Sequence, residues 1–198
     1  MRTRRPGISV LALSVLLSVS GIARAEPAKL EICAACHGED GSGAGFAYVP
    51  IIAGTPAAHL EEALFAYLDG ARRCVGAPVM CEAVAALTEA EIEDLAEHYS
   101  KLSRVSSGEE FNARLAQVGE LIHQKHCAQC HLFPDDKDVE SALGIPLHGQ
   151  RAAYLRLALG AYFSGDRDTL VPIMAEKLEA LDADKIEALV NYYASYRP

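Results

Sequence analysis

Two copies of Cys-x-x-Cys-His constrain this chain more than any other feature: Cys33-Ala34-Ala35-Cys36-His37 and Cys127-Ala128-Gln129-Cys130-His131. Each is followed, 43 residues after its histidine, by a methionine, Met80 in one half and Met174 in the other. Two thiols at this spacing can add to the two vinyl groups of a haem, the c-type attachment signature, and the adjacent histidine is then held at the proximal side of the iron. A thioether opposite that histidine raises the iron potential into the electron-transfer range. The expected cofactors are therefore two covalently attached haem c groups. Cys33, Cys36, Cys127 and Cys130 are the expected attachment points, and His37, Met80, His131 and Met174 the expected axial ligands. Paired Cys-x-x-Cys knuckles also bind zinc, but here the pairs stand 94 residues apart in sibling repeats, each followed by histidine.

The first 25 residues read as an export signal rather than as part of the fold. Arg2, Arg4 and Arg5 make a positive start, Ile8 to Ile22 an apolar run with serines, and Ala23-Arg24-Ala25 an A-x-A cleavage site before Glu26. The run falls short of the roughly 20 residues of a spanning helix, and no later segment is long and apolar enough to span. The expected location is periplasmic, with no membrane span after signal cleavage. Export also suits Cys74 and Cys81, the pair left once four cysteines are assigned to haem, because a disulfide persists in that compartment. The formal charge of −9 becomes −13 when four arginines leave with the signal, which argues against nucleic acid or an anionic membrane as partner.

Shifting the sequence on itself by 94 to 95 residues aligns more than the motifs. Gly54, Ala57, Ala58, Leu60, Ala63, Leu64, Ala66, Tyr67, Gly70 and Arg72 overlay Gly149, Ala152, Ala153, Leu155, Ala158, Leu159, Ala161, Tyr162, Gly165 and Arg167. Met80, Leu87, Ile92, Leu95 and Tyr99 overlay Met174, Leu181, Ile186, Leu189 and Tyr193. The chain is a tandem duplication, divided by the polar stretch Ser103 to Glu110. Each half predicts three helical segments. One runs into the motif (28–36 and about 111–130), one follows a haem-wrapping loop (56–68 and 151–163) and one starts at the capping-box-like Thr88-x-x-Glu91 or near Asp182. Gly70 and Gly165 stand where the middle helices would be capped. No alternating strand pattern occurs, so the class is all α.

The remaining candidates each carry an ordinary reading beside a functional one. His59 and His148 are rival axial ligands, one in each half, but they are not repeat-equivalent. Each proximal imidazole needs an acceptor for its other N–H, and the carbonyls of Pro50 and Pro146 are candidates, against simple stiffening of the turn. Arg72 and Arg167 either pair with haem propionates or are solvated helix-end arginines. Cys74 and Cys81, flanking Met80, either form a disulfide that stiffens its loop or remain buried thiols. His123 and His126 carry no expected role.

Gly149-Gln150-x-x-x-Tyr154, Gly165-x-Arg167 and Met174-Ala175-x-Lys177-Leu178 resemble the second-half pattern of dihaem cytochromes of the cytochrome c4 type. The run from Phe111 through Gly119, His123 and Lys125 into Cys127 is similar to the cytochrome subunit of flavocytochrome c sulfide dehydrogenase. The resemblance covers essentially all of the expected mature chain. It implies two tandem class I cytochrome c domains, residues 26–104 and 105–198, each wrapped around one covalently bound haem. It also implies an electron-transfer subunit rather than an enzyme, accepting single electrons from a flavoprotein sulfide dehydrogenase subunit and passing them to a soluble acceptor such as a small cytochrome. The alternative is a free-standing cytochrome c4-type shuttle feeding a terminal oxidase. A dihaem peroxidase would need an open iron position, which paired methionines argue against.

Overall fold

The computed structural model describes residues 27–43 and 45–197; the expected signal at 1–25 lies outside them. Among the described residues the helices recur in the same order in both halves. The first half has α1 (Leu30–His37), α2 (Ala57–Leu68), α3 (Pro78–Ala85) and α4 (Glu89–Ser100). The second has α5 (Ala113–His126), α6 (Ala152–Ser164), α7 (Pro172–Glu179) and α8 (Ala183–Ser195), with a 3₁₀ turn at Val139–Ser141. There is no strand among the described residues, and the all-α class holds.

Local chemistry sets the helix ends. Thr88 and Glu91 close a reciprocal capping box on α4, the Glu91 N–H donating to Thr88 Oγ1 at 3.3 Å and the Thr88 N–H to Glu91 Oε2 at 2.8 Å. Asp182 accepts the Lys185 N–H at 2.9 Å and starts α8. Gly165, at φ 77°, takes the left-handed cap of α6. Two helices, α3 and α7, were not expected: the sequence reads as three segments per half, and each half has four. Both begin on a proline, Pro78 or Pro172, whose missing N–H is harmless in a first turn. That placement puts Met80 and Met174 at the same third position of their helices.

Each half buries its own core. Leu30, Leu60, Leu95, Ala96 and Tyr99 form the first. Leu155, Leu189, Val190 and Tyr193 form the second, Leu189 and Tyr193 being the repeat mates of Leu95 and Tyr99. In the second half α5 lies against α8 so closely that a Cβ at Gly119 would come within 2.1 Å of the Ala188 carbonyl oxygen. The Tyr193 hydroxyl and His123 Nδ1 lie 3.1 Å apart, while His148 stacks on Phe133 with ring centroids 3.9 Å apart. Burial, and then neighbouring histidines, depress His123 to about 4 and His148 to about 3.

The halves meet around a local two-fold relation. Arg72 forms an isolated antiparallel bridge with its own repeat mate Arg167. The Arg73 N–H donates to the Asp166 carbonyl and the Asp168 N–H to the Ala71 carbonyl, both at 2.7 Å. Nearby, the Gln150 carboxamide accepts the Ile51 N–H and donates to the Ile51 carbonyl, both at 2.8 Å and both buried. The stretch from Ser103 to Glu110 is not a loose linker. Arg104 donates to Thr55 Oγ1 at 2.9 Å and to the Pro146 and His148 carbonyls at 3.4 Å, spanning both halves. Its burial brings the guanidinium down to about 10. Cys74 and Cys81 are joined by a disulfide, Cα–Cα 6.1 Å, that ties the loop after α2 to the residue following Met80.

Gly119→Ala should lower stability by about 1–3 kcal/mol, since backbone must move. Gly160→Ala, in an α6 position with open space around it, should raise stability by about 0.5–1 kcal/mol; urea melts of the holoprotein compare the two. Replacing Cys74 and Cys81 with serine should lower it by about 2–3 kcal/mol for so short a loop, read in the same melts. Folded His123 and His148 refuse protons that an unfolded chain accepts below about 6.5, so the unfolded state binds more protons and stability falls as pH drops from there towards 4. The urea midpoint at pH 5 should lie below that at pH 7, and His148→Phe should narrow the gap.

Candidate functional site

The two Cys-x-x-Cys-His motifs sit at the ends of α1 and α5, with different local winding. Cys33, Cys36 and His37 all lie within α1. In the second half the expected helix to residue 130 stops at His126, because Cys127 and Ala128 both donate to the His123 carbonyl and open the last turn. Cys127, Cys130 and His131 then follow in a tight turn, the Cys130 and His131 N–H groups donating to the Cys127 carbonyl at 3.1 and 2.9 Å. None of these four cysteines is in a disulfide. Among the described residues no three His, Cys, Asp or Glu side chains converge in a metal-holding group.

Both motif imidazoles are oriented from behind. His37 is buried, and its Nδ1–H donates to the Pro50 carbonyl at 3.2 Å. His131 Nδ1–H donates at 2.8 Å to the carbonyl of Ile145, not of Pro146 as the sequence suggested. The Pro146 carbonyl instead faces Arg104, and the second loop, one residue longer between His131 and Gly149 than between His37 and Gly54, presents the preceding carbonyl. Burial lowers the pKa of both histidines against the opposing effect of these hydrogen bonds. Each ring is thus neutral with its proton on Nδ1, leaving the Nε2 lone pair for a metal.

In the second half Cys127, Cys130, His131 and Met174 line one cavity, walled by apolar side chains such as Leu147, Leu155, Leu159 and Leu178. This donor set fits a haem: two thiols for the vinyl groups, a neutral imidazole, a thioether and a largely apolar wall. In the first half Cys33 packs on the Leu30–Leu60–Leu95–Tyr99 core, and half-buried Met80 stands on α3 as Met174 does on α7. Tyr99 Oη donates to the Gly38 carbonyl at 3.2 Å, holding α4 to the turn behind His37.

The rival histidines lie elsewhere. His148 sits in the aromatic cage of Phe133, Tyr192, Tyr193 and Tyr196 and does not line the cavity shared by His131 and Met174. His59 lines the second half's cavity, across from its own half. Arg72 and Arg167 line that cavity too, each with its guanidinium over a tyrosine, Tyr67 at 5.5 Å and Tyr162 at 4.6 Å. The equal Tyr-to-Arg spacing in both repeats was the available signal for these stacked pairs. Gln150 and Arg104, which join the halves, left no comparable trace.

No protein-family model matches the chain. It is 30% identical over 181 residues to the thiosulfate dehydrogenase electron acceptor of Stutzerimonas stutzeri, covering 86% of this chain and 81% of that protein. Reduced recombinant cytochrome c4 from Pseudomonas stutzeri superposes with a TM-score of 0.68 at 25% identity, over 84% of this chain and 94% of that one. Thiosulfate dehydrogenase (TsdBA) from Marichromatium purpuratum superposes with a TM-score of 0.69 at 27% identity, over 84% of this chain but 36% of that longer one. The repeated motif, the doubled four-helix arrangement and these likenesses agree: the chain belongs to the dihaem c-type cytochromes of the cytochrome c4 type, electron-transfer proteins with two covalently attached haem c groups.

Proposed function

We propose that this cytochrome is the electron acceptor of a thiosulfate dehydrogenase in the periplasm, passing single electrons on to a soluble carrier or a terminal oxidase. The similarity to the Stutzerimonas stutzeri acceptor over most of both chains carries this reading. It takes the place of the flavoprotein sulfide dehydrogenase expected as donor, because the acceptor relative and the longer structural neighbour both name thiosulfate dehydrogenase. Tandem dihaem chains share their motifs whatever the donor, so the motifs by themselves do not single out one donor. No helix among the described residues is long and apolar enough to cross a membrane.

The haem-bearing units are residues 26–104 and 105–198. Each haem, when bound, supplies one-electron iron redox chemistry. Cys33 and Cys36, and Cys127 and Cys130, would tether it; His37 and His131 would bind the iron through Nε2, and Met80 and Met174, from α3 and α7, would supply the other protein ligand. Two protein ligands per iron leave no open position for a substrate, so the chain transfers electrons without bond chemistry. The carbonyls of Pro50 and Ile145 keep each imidazole in one orientation, and the disulfide beside Met80 holds its helix to the preceding loop. Fixed ligands need little rearrangement between oxidation states.

Met80→Ala and Met174→Ala should each lower one of the two midpoints by more than about 59 mV, a tenfold change in a one-electron equilibrium. Each should also remove half of the methionine-to-iron charge-transfer absorption of the ferric protein. For the donor, the oxidised holoprotein is mixed with a thiosulfate dehydrogenase and thiosulfate, or with a flavoprotein sulfide dehydrogenase and sulfide, and haem reduction is followed by stopped-flow absorbance. Fast reduction in the first mixture alone supports the proposal; fast reduction in the second alone overturns it.

A further inference from the structure

The second half's cavity has a wall that belongs to the first half. Through α2, the first half contributes His59, Glu62, Ala63 and Ala66 to it. The His59 side chain is 11% exposed, and its Nδ1 lies 3.9 Å from Glu62 Oε2. Its Nε2 is buried and has no hydrogen-bond partner within the protein. An imidazole nitrogen shut from water without a partner is destabilising, a cost that a polar group of a cavity occupant can offset. The rest of that wall is mostly apolar, and a haem brings only one kind of strong acceptor, its two propionate carboxylates.

The residue equivalent to His59 is Tyr154, each following a Gly-x-x-Ala-Ala stretch. Tyr154 lines the same cavity, close enough to Tyr67 and Arg72 of the first half to interact electrostatically with both. Each half therefore brings one polar side chain to this cavity from equivalent positions, a histidine from the first half and a tyrosine from the second.

We infer that His59 of the first half donates a hydrogen bond through Nε2–H to a propionate of the second half's haem, and so sets the potential of the second iron from outside its own half. The inference rests on the reading that His131 and Met174 hold that haem. A propionate's negative charge favours the ferric iron, and a donor that draws on that charge weakens its effect and raises the midpoint. His59 is a positioning and tuning residue; it does not ligate the iron.

The experiment uses the dihaem holoprotein with His59→Phe, which keeps a ring and removes the donor, His59→Leu as a smaller donor-free variant should the ring crowd the wall, and His59→Gln, which restores a donor. Haem per chain is measured first, and each haem's midpoint is then followed by its paramagnetically shifted methyl NMR signals, assigned with Met80→Ala and Met174→Ala. The donor-free variants should keep two haems and both methionine signals, and lower the second midpoint by up to about tenfold in the redox equilibrium, 59 mV. The first midpoint should stay in place, and His59→Gln should recover most of the loss. An unchanged second midpoint, a shift confined to the first haem, or loss of a methionine signal in His59→Phe and His59→Leu would overturn the inference. Wild-type protein with fewer than two haems, or a Met174→Ala variant that leaves the second haem unchanged, would instead overturn the site reading beneath it.

Discussion

A residue can pair with its own repeat mate only at an axis that relates the repeats, and Arg72 pairs with Arg167. Two flanking backbone hydrogen bonds at 2.7 Å, reciprocal across that axis, make the contact a small self-complementary interface inside one chain. Much of the molecule depends on it. The pairing lays α2 of the first half against the second half's cavity, stacks both arginines over tyrosines beside it, and brings Gln150 to the backbone of Ile51. Units this small bury too little apolar surface to be robust alone. Sharing a wall and a buried polar contact lets each half complete the other.

The two halves hold their motif histidines with different supports. Both imidazoles are buried, neutral and tied through Nδ1 to a loop carbonyl, so both present the same nitrogen in a set orientation. The first half adds the Cys74–Cys81 disulfide next to Met80. The second has no such bond and instead surrounds the back of its motif with His123, His148, Phe133 and tyrosines, held by ring contacts and burial. One half is restrained covalently and the other by packing, so acid should act on the second and a reductant on the first. Duplication supplied two equal sites, and later divergence made them unequal in ways an electron pathway can use.

The polar contacts between the halves are few, buried and made by residues with limited alternatives. Arg104 touches Thr55 on one side and the Pro146 and His148 carbonyls on the other, from a stretch that composition alone marks as a linker. A buried guanidinium without those acceptors would be costly, so the segment that connects the halves also fixes their relative placement. For a dihaem cytochrome this matters, because the relative position of the two units is what an intramolecular electron step depends on.

The cofactor class, the duplication, the all-α class and the positions of the cysteine, histidine and methionine side chains were legible in the residues themselves. They are set by covalent spacing and by local periodicity, which survive in one dimension. The capping box at Thr88 and the left-handed glycine at Gly165 were readable for the same reason. The short helices α3 and α7 escaped because eight residues give too little periodicity, although a proline three positions from the end of Pro-x-Met marked both starts. The Ile145 acceptor escaped because one inserted residue shifts which carbonyl faces His131. His59 was legible as a rival ligand on the middle helix of the first half; only the crossing of the halves decided that it faces the second half's cavity. Contacts between residues about a hundred positions apart, such as Gln150 with Ile51, depend on how two preformed units dock, and that docking is a property of surfaces rather than of any local run of sequence.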